Sequence, residues 1–189
     1  IDIAGPGFIN FTLAPEFLSR QLQAQSAEPK LGFVAPKKEK IVLEYCSPNV
    51  AKDMHVGHLR NTVIGDAVKR LLKFAGHEVI TDNHLGDWGL QLGQVFSEMQ
   101  RLYPDLPYFK QGFAGPFPSA PPISFAELCK IYPIASQKSK ADPEELKRAQ
   151  EFTARLHQGD KGLRALWQHL GDLSVPDMKR KLQDFGVEP

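Results

Sequence analysis

Residues 41–89 read IVLEYCSPNVAKDMHVGHLRNTVIGDAVKRLLKFAGHEVITDNHLGDWG, and the change of apolar period along them points to one βαβ unit. An apolar run over 41–45 has the character of a strand and leads into a turn at Ser47, Pro48 and Asn49. Val56, Leu59, Val63, Ala67, Leu71 and Phe74 then recur every three or four residues, which predicts a helix over Val56–Ala75 with one stripe packed on a sheet. Gly76 is its expected stop. Val79 and Ile80 build a neighbouring parallel strand, reached by a right-handed crossover. The turn Gly86-Asp87-Trp88-Gly89 follows it. In such a unit the reactive groups gather at the carboxyl end of a strand, where open parallel sheets bind ligands.

At that end stands HVGH (His55, Val56, Gly57, His58), opening the helix. A helix amino terminus offers free N–H groups and a positive dipole end to an anion such as phosphate. Two histidines three apart share a helix face and can grip neighbouring oxygens of one phosphate chain. Gly57 has no Cβ, so a ligand can lie against the backbone. Imidazole donates a hydrogen bond to developing negative charge near neutral pH. The pattern suits charge building up on phosphorus; by itself H-x-G-H is also the pattern of chance surface polarity or of half a zinc site.

The runs SPNVAKDMHVGHLRNTVIGDAV and DNHLGDWGLQLG resemble arginyl-tRNA synthetase, a class I aminoacyl-tRNA synthetase. HVGH resembles that family's first signature, and the SPN and GDWG turns set the arginyl enzymes apart from other class I members. The close resemblance covers residues 41–95; looser ones cover the opening IDIAGPGFINFTL and the stretch 130–189. It implies an arginine–tRNA ligase, which joins arginine to ATP as an adenylate, releases pyrophosphate and passes the arginyl group to the terminal adenosine of its tRNA. His55, Gly57 and His58 are then expected to bind ATP, with His55, His58 and Lys52 serving catalysis. Glu44, Ser47, Pro48, Asn49 and His58 are expected to bind arginine, Glu44 supplying the negative charge that a permanently charged guanidinium needs. ATP is the expected substrate with Mg2+ beside it, no protein-bound metal is expected, and tRNA and arginine are the partners.

The fold expected from the resemblance is α/β, a Rossmann-like parallel sheet forming the first half of a class I catalytic domain, with a helical insertion. Its expected divisions are the end of an amino-terminal domain (1–25), a linker (26–40), the half-domain itself (41–101) and a loop with a helical connective insertion (102–189). The family's second signature, a KMSKS-like loop, does not occur before Pro189. On this reading the chain is a fragment without the carboxyl-terminal half and inactive alone.

Outside the central unit, residues 8–13 alternate as a strand, and 14–25, opened by Pro15, read as a helix. The linker carries two prolines, a glycine and the basic cluster Lys37, Lys38 and Lys40. Asp87 is placed to cap a helix starting near Trp88. Trp88 reads as packing, and His84 as an anchor of its turn. Residues 103–122 (YPDLPYFKQGFAGPFPSAPP) read as a long exposed insertion. Helical patterns return over 125–131, over Pro143–His157 behind the N-cap Asp142, over 162–170, and over 176–185 behind Ser174 as cap. Leu166, Trp167, Leu170 and Leu173 form a packing stripe.

The chain holds 23 basic and 22 acidic residues, so a strongly basic general nucleic-acid surface is not expected. Two cysteines, Cys46 and Cys129, are too few for a disulfide framework. No apolar run approaches the roughly twenty residues of a membrane span, and no signal-peptide pattern opens the chain. A cytoplasmic monomer is the expectation. Two other readings stand beside the leading one: a different H-x-G-H nucleotidyltransferase, and a non-catalytic nucleotide- or protein-binding module.

Overall fold

The computed structural model describes residues 1–33, 37–110, 112, 113 and 115–187. Residues 34–36 of the expected linker and 111, 114, 188 and 189 of the expected insertion lie outside the described residues. The chain divides into two compact units, Ile1–Val42 with Val68–Ile80, and Leu43–Ala67 with Thr81–Pro189.

In the first unit β1 (Asp2–Ala4) pairs antiparallel with β2 (Phe8–Asn10), Asp2 opposite Asn10. The expected strand over 8–13 stops at Asn10, because its partner offers three residues and no further backbone to pair with. Helix α1 (Pro15–Ala27) starts with proline at its first turn, where a missing N–H costs nothing, and runs two residues past the expected end. None of its residues is buried.

Strands β3 (Lys40–Leu43) and β4 (Glu78–Thr81) form a two-stranded sheet. Glu78 N–H donates to the Glu39 carbonyl and Asp82 N–H to that of Leu43, a parallel register in equal steps. β3 leaves the sheet two residues before the expected end, and the chain turns there toward Ser47. Between the strands runs α2 (Val56–Ala75), with the bounds that its periodicity predicts. It ends at Gly76 with φ +102°, and His77 N–H closes back on the Leu72 carbonyl.

The packed face of α2 differs from the expected one. Thr62, Gly65, Asp66 and Lys69 are buried, while Val56, Val63, Leu71 and Phe74 are exposed. The cause lies at Gly65, where an added Cβ would stand 2.1 Å from Tyr45 Cβ, so the helix approaches the end of β3 on its glycine face.

The second unit holds a helical core built from α3 (Leu90–Leu102), α4 (Phe125–Ala141), α5 (Pro143–His157) and α6 (Lys161–Asp184). Leu92, Val95, Phe96 and Met99 of α3 meet Leu128 and Ile131 of α4, Phe152 and Leu156 of α5, and Leu163, Leu166 and Leu170 of α6. Gly93 brings α3 against α5, since a Cβ there would lie 2.1 Å from the Ala149 carbonyl oxygen. Ser124 and Glu127 form a capping box on α4, and Asp142 caps α5 as its sequence predicts.

Three expectations are corrected here. Asp87 caps nothing: α3 begins behind Gly89 with no side-chain cap, and the Asp87 carbonyl instead accepts from Trp167 Nε1 at 2.9 Å. Residues 162–170 and 176–185 are one helix, α6, with Pro176 inside it. Leu166, Leu170, Ser174, Met178 and Leu182 follow one another every four residues, and all are buried. That continuous packed row outweighs the roughly 3 kcal/mol that an internal proline costs. The segment 103–122 is tied to the core by the 3-10 turn Pro107–Phe109, whose Tyr108 and Phe109 are buried.

Candidate active site

The SPN turn is fixed from both sides. Pro48 is buried, the Val50 N–H donates to the Gly86 carbonyl at 3.1 Å, and the Gly86 N–H donates to the Pro48 carbonyl at 3.1 Å. Asn49 and Gly86 thus make a parallel bridge continuing the direction of the sheet. A Cβ at Gly86 would stand 2.0 Å from Asn49 Oδ1, so glycine is the residue that lets the Asn49 amide sit where it does. Ser47 and Glu44 are exposed, and the Ser47 hydroxyl donates to Glu44 Oε1. Ser47, Pro48, Asn49 and Glu44 therefore occupy one short turn, with a carboxylate and an amide at its rim.

The two histidines meet at the start of α2. Their rings stack with centroids 3.9 Å apart and planes inclined by 18°. His55 Nδ1 accepts from the Gly57 N–H at 3.1 Å, and His58 Nδ1 accepts from the His55 N–H at 3.2 Å. An Nδ1 that accepts carries no proton, so each neutral ring holds its hydrogen on Nε2 as a donor. His58 is held below the ordinary histidine value, first by burial, then by the neighbouring His55 and by the Lys52 charge. Two imidazole Nε2 donors side by side at a helix amino terminus suit the oxygens of a phosphate chain. A groove of about 840 Å³ opens along this first stretch of α2, lined by His55, Gly57, His58 and Arg60 among others.

Lys52 is half-buried, with Nζ 5.7 Å from the centre of the Tyr132 ring. It stands three residues before His55 in the segment that leads from the SPN turn into α2, and its charge contributes to lowering the His58 pKa. Trp88 packs as expected, stacked on His157 and edge-on to Trp167. His84 stays at the surface with Asp82, Nε2 to Oδ2 3.6 Å. Cys46 is buried at the turn and Cys129 is half-buried, and both are free thiols.

The sequence reading passed over Gly86 and Ser174 as site-supporting residues. Gly86 stood in plain view as a turn glycine, yet nothing linear tells that its missing Cβ faces Asn49. Ser174, read as a cap, is wholly buried, and its hydroxyl oxygen accepts the Ala51 N–H at 3.1 Å.

A parallel βαβ unit with a histidine pair opening its crossover helix and a polar turn at the strand end defines a Rossmann-like α/β protein. The model of the family "tRNA synthetases class I (R), catalytic domain" matches residues 21–188. Over 100% of its length the chain is 44% identical to the arginine–tRNA ligase of Alkaliphilus oremlandii (strain OhILAs), of which it covers 32%. It is 42% identical, over 99% of its length, to the arginine–tRNA ligase of Francisella tularensis subsp. holarctica, again covering 32%. Among solved structures it is similar to arginyl-tRNA synthetase from Plasmodium falciparum, with a TM-score of 0.57 and 27% identity over 79% of this chain and 23% of that one. The chain belongs to the arginyl family of class I tRNA synthetase catalytic domains. Its fold is the Rossmann-like α/β fold of that class. It spans about a third of the length of the curated relatives it matches.

Proposed function

We propose that this chain carries the ATP-binding and part of the arginine-binding machinery of an arginine–tRNA ligase. The observation that carries the reading is the stacked pair His55 and His58, each presenting an Nε2 donor at the start of α2. In the first half-reaction an arginine carboxylate oxygen attacks the α-phosphorus of ATP, the bond to the β-phosphate oxygen breaks, and pyrophosphate leaves. Negative charge grows on the non-bridging oxygens meanwhile, and donors fixed beforehand stabilise it without reorganising. His55 and His58 supply those donors, Lys52 adds a positive charge, and Gly57 leaves room for the nucleotide. Ser47 and Asn49 hold the amino acid, Pro48 stiffens their turn, and Glu44 answers a cationic group of arginine. In the second step a hydroxyl of the terminal adenosine of tRNA attacks the adenylate carbonyl and AMP departs.

Mg2+ belongs to this reading as a partner of the ATP phosphates. No described helix is long and apolar enough to cross a membrane. The reading includes work in the cytoplasm as a monomer, with residues 102–189 as the connective insertion of the catalytic domain. The test is arginine-dependent ATP–pyrophosphate exchange by the complete product of the gene, with and without tRNA. Exchange driven by arginine and no other amino acid supports the reading; exchange driven by another amino acid, or none under any of these conditions, overturns it.

A further inference from the structure

Three consecutive residues lead from the SPN turn into the histidine pair, and each is held by a different contact from helices more than seventy residues away. Ala51 is buried with φ +66°, a left-handed backbone that alanine adopts only when its surroundings impose it. Its N–H donates to Ser174 Oγ at 3.1 Å, and that hydroxyl donates in turn to the Leu170 carbonyl at 2.7 Å. Lys52 lies against the Tyr132 ring of α4. The Asp53 carboxylate takes the Lys181 ammonium of α6, which also reaches Asp177 Oδ2 at 2.6 Å and lies over the Phe125 ring. Asp177 is bound a second time by Arg180 at 2.9 Å, so Lys181 sits in a network and not in a lone surface pair. Burial works against the Lys181 charge, and the hydrogen bonds it donates to Asp177 and Asp53 outweigh that.

We infer that Ser174 and the Asp53–Lys181 pair are positioning residues: through them α6 sets the place of Lys52 relative to the histidine pair. None of the three touches the reacting atoms. They matter because the strained Ala51 backbone aims Lys52, and without its clamps that segment relaxes to an ordinary conformation that points the ammonium elsewhere. Displacing a catalytic group by about 1 Å costs up to roughly a hundredfold in rate. For its effect on catalysis the inference rests on the function proposed above, so its test has one arm that needs no catalysis.

The variants are Ser174→Ala, Lys181→Met, Lys181→Arg and Lys52→Met, each made in the complete gene product. In the first arm, NMR follows the His58 imidazole through its titration. Moving Lys52 away removes a charge that lowers the His58 pKa, so Ser174→Ala and Lys181→Met should move its midpoint up, and Lys52→Met should match them. In the second arm, ATP–pyrophosphate exchange should fall about tenfold to a hundredfold in kcat for Ser174→Ala and Lys181→Met, with KM for arginine unchanged, and Lys181→Arg, which keeps a cation between Asp53 and Asp177, should retain most of the rate. An unmoved His58 midpoint in folded variants overturns the inference, whatever the activity. So does a loss of rate that only follows the folded fraction in thermal melts, or one that Lys181→Arg shows as fully as Lys181→Met. If the parent protein shows no exchange at all, the proposed function fails, and the His58 titration still decides the positioning.

Discussion

At the scale of single residues the site rests on two protons whose place the backbone dictates. Because the His58 Nδ1 accepts from its own turn, its ring hydrogen sits on Nε2, and burial, then His55 and Lys52, favour the uncharged ring by lowering its pKa. Its midpoint should fall below the usual value of about 6.5, read by NMR titration, and a midpoint at or above that value would contradict the geometry. The sign for stability follows: a depressed value stabilises the fold above the ordinary histidine range, and that contribution fades as pH drops through the folded pKa. Replacing His58 with alanine in the complete gene product should slow activation by roughly a hundredfold or more while the fold persists, the scale of losing one fixed donor. A loss below tenfold would remove His58 from the role proposed for it. Asn49→Ala should raise the arginine concentration needed for half-maximal exchange. Gly86→Ala should do the same, since its Cβ would displace the Asn49 amide; an unchanged apparent affinity in both would sink the amino-acid role of this turn. HVGH, the SPN turn and Lys52 were all legible as motifs. Gly86, Ser174 and Lys181 were not, because their importance lies in what faces them across 37 to 128 residues of chain.

At the scale of elements, local signals succeeded where the cause was local. The 3.6-residue period bounded α2, and Asp142 followed by proline and two acids bounded α5. Local signals failed where packing overrode them. Ser174 and Pro176 read together as the start of a helix, yet the buried row from Leu166 to Leu182 carries α6 straight through. Glu98 shows the same override in charge: it is 2% exposed on α3, gripped by Arg101 at 2.6 Å and by Lys138 of α4 at 2.9 Å. The Arg101 hydrogen bond leads in holding its pKa down, burial opposes it, and Lys138 adds to the lowering. Its stabilisation is therefore present above the ordinary carboxylate range and is lost as pH falls through the lower folded value. Glu98→Gln should cost about 1–3 kcal/mol at neutral pH and flatten the acid limb of stability, measured by urea unfolding from pH 7 to pH 3. An unaltered acid limb would show that the triad carries no such linkage. At Gly93 an added methyl meets the Ala149 carbonyl and the Thr153 hydroxyl, at 2.1 and 2.2 Å, so Gly93→Ala should destabilise by roughly 1–3 kcal/mol.

At the scale of the whole molecule, the apolar stripe of α2 is a large exposed surface. Val56 is 80% exposed, Leu71 67% and Val63 54%, on a helix whose sequence announced a core face. Large apolar side chains this exposed favour binding of apolar molecules. The 189-residue chain should therefore bind a hydrophobic dye such as ANS while keeping its helical circular dichroism, and Val63→Glu with Leu71→Lys should lower the dye signal; a chain that binds no dye would show the stripe to be covered. The sequence by itself determined the α/β class, the βαβ order and the bounds of α2 and α5, because period, capping and turn chemistry act within a few residues of their cause. Only the tertiary structure decided which face of α2 is buried, that α6 runs unbroken through its proline, that Gly86 makes room for Asn49, and that Ser174 and Lys181 hold the segment before the histidines. Those outcomes depend on close approach between residues far apart in the chain, and no local pattern records which atoms will meet there.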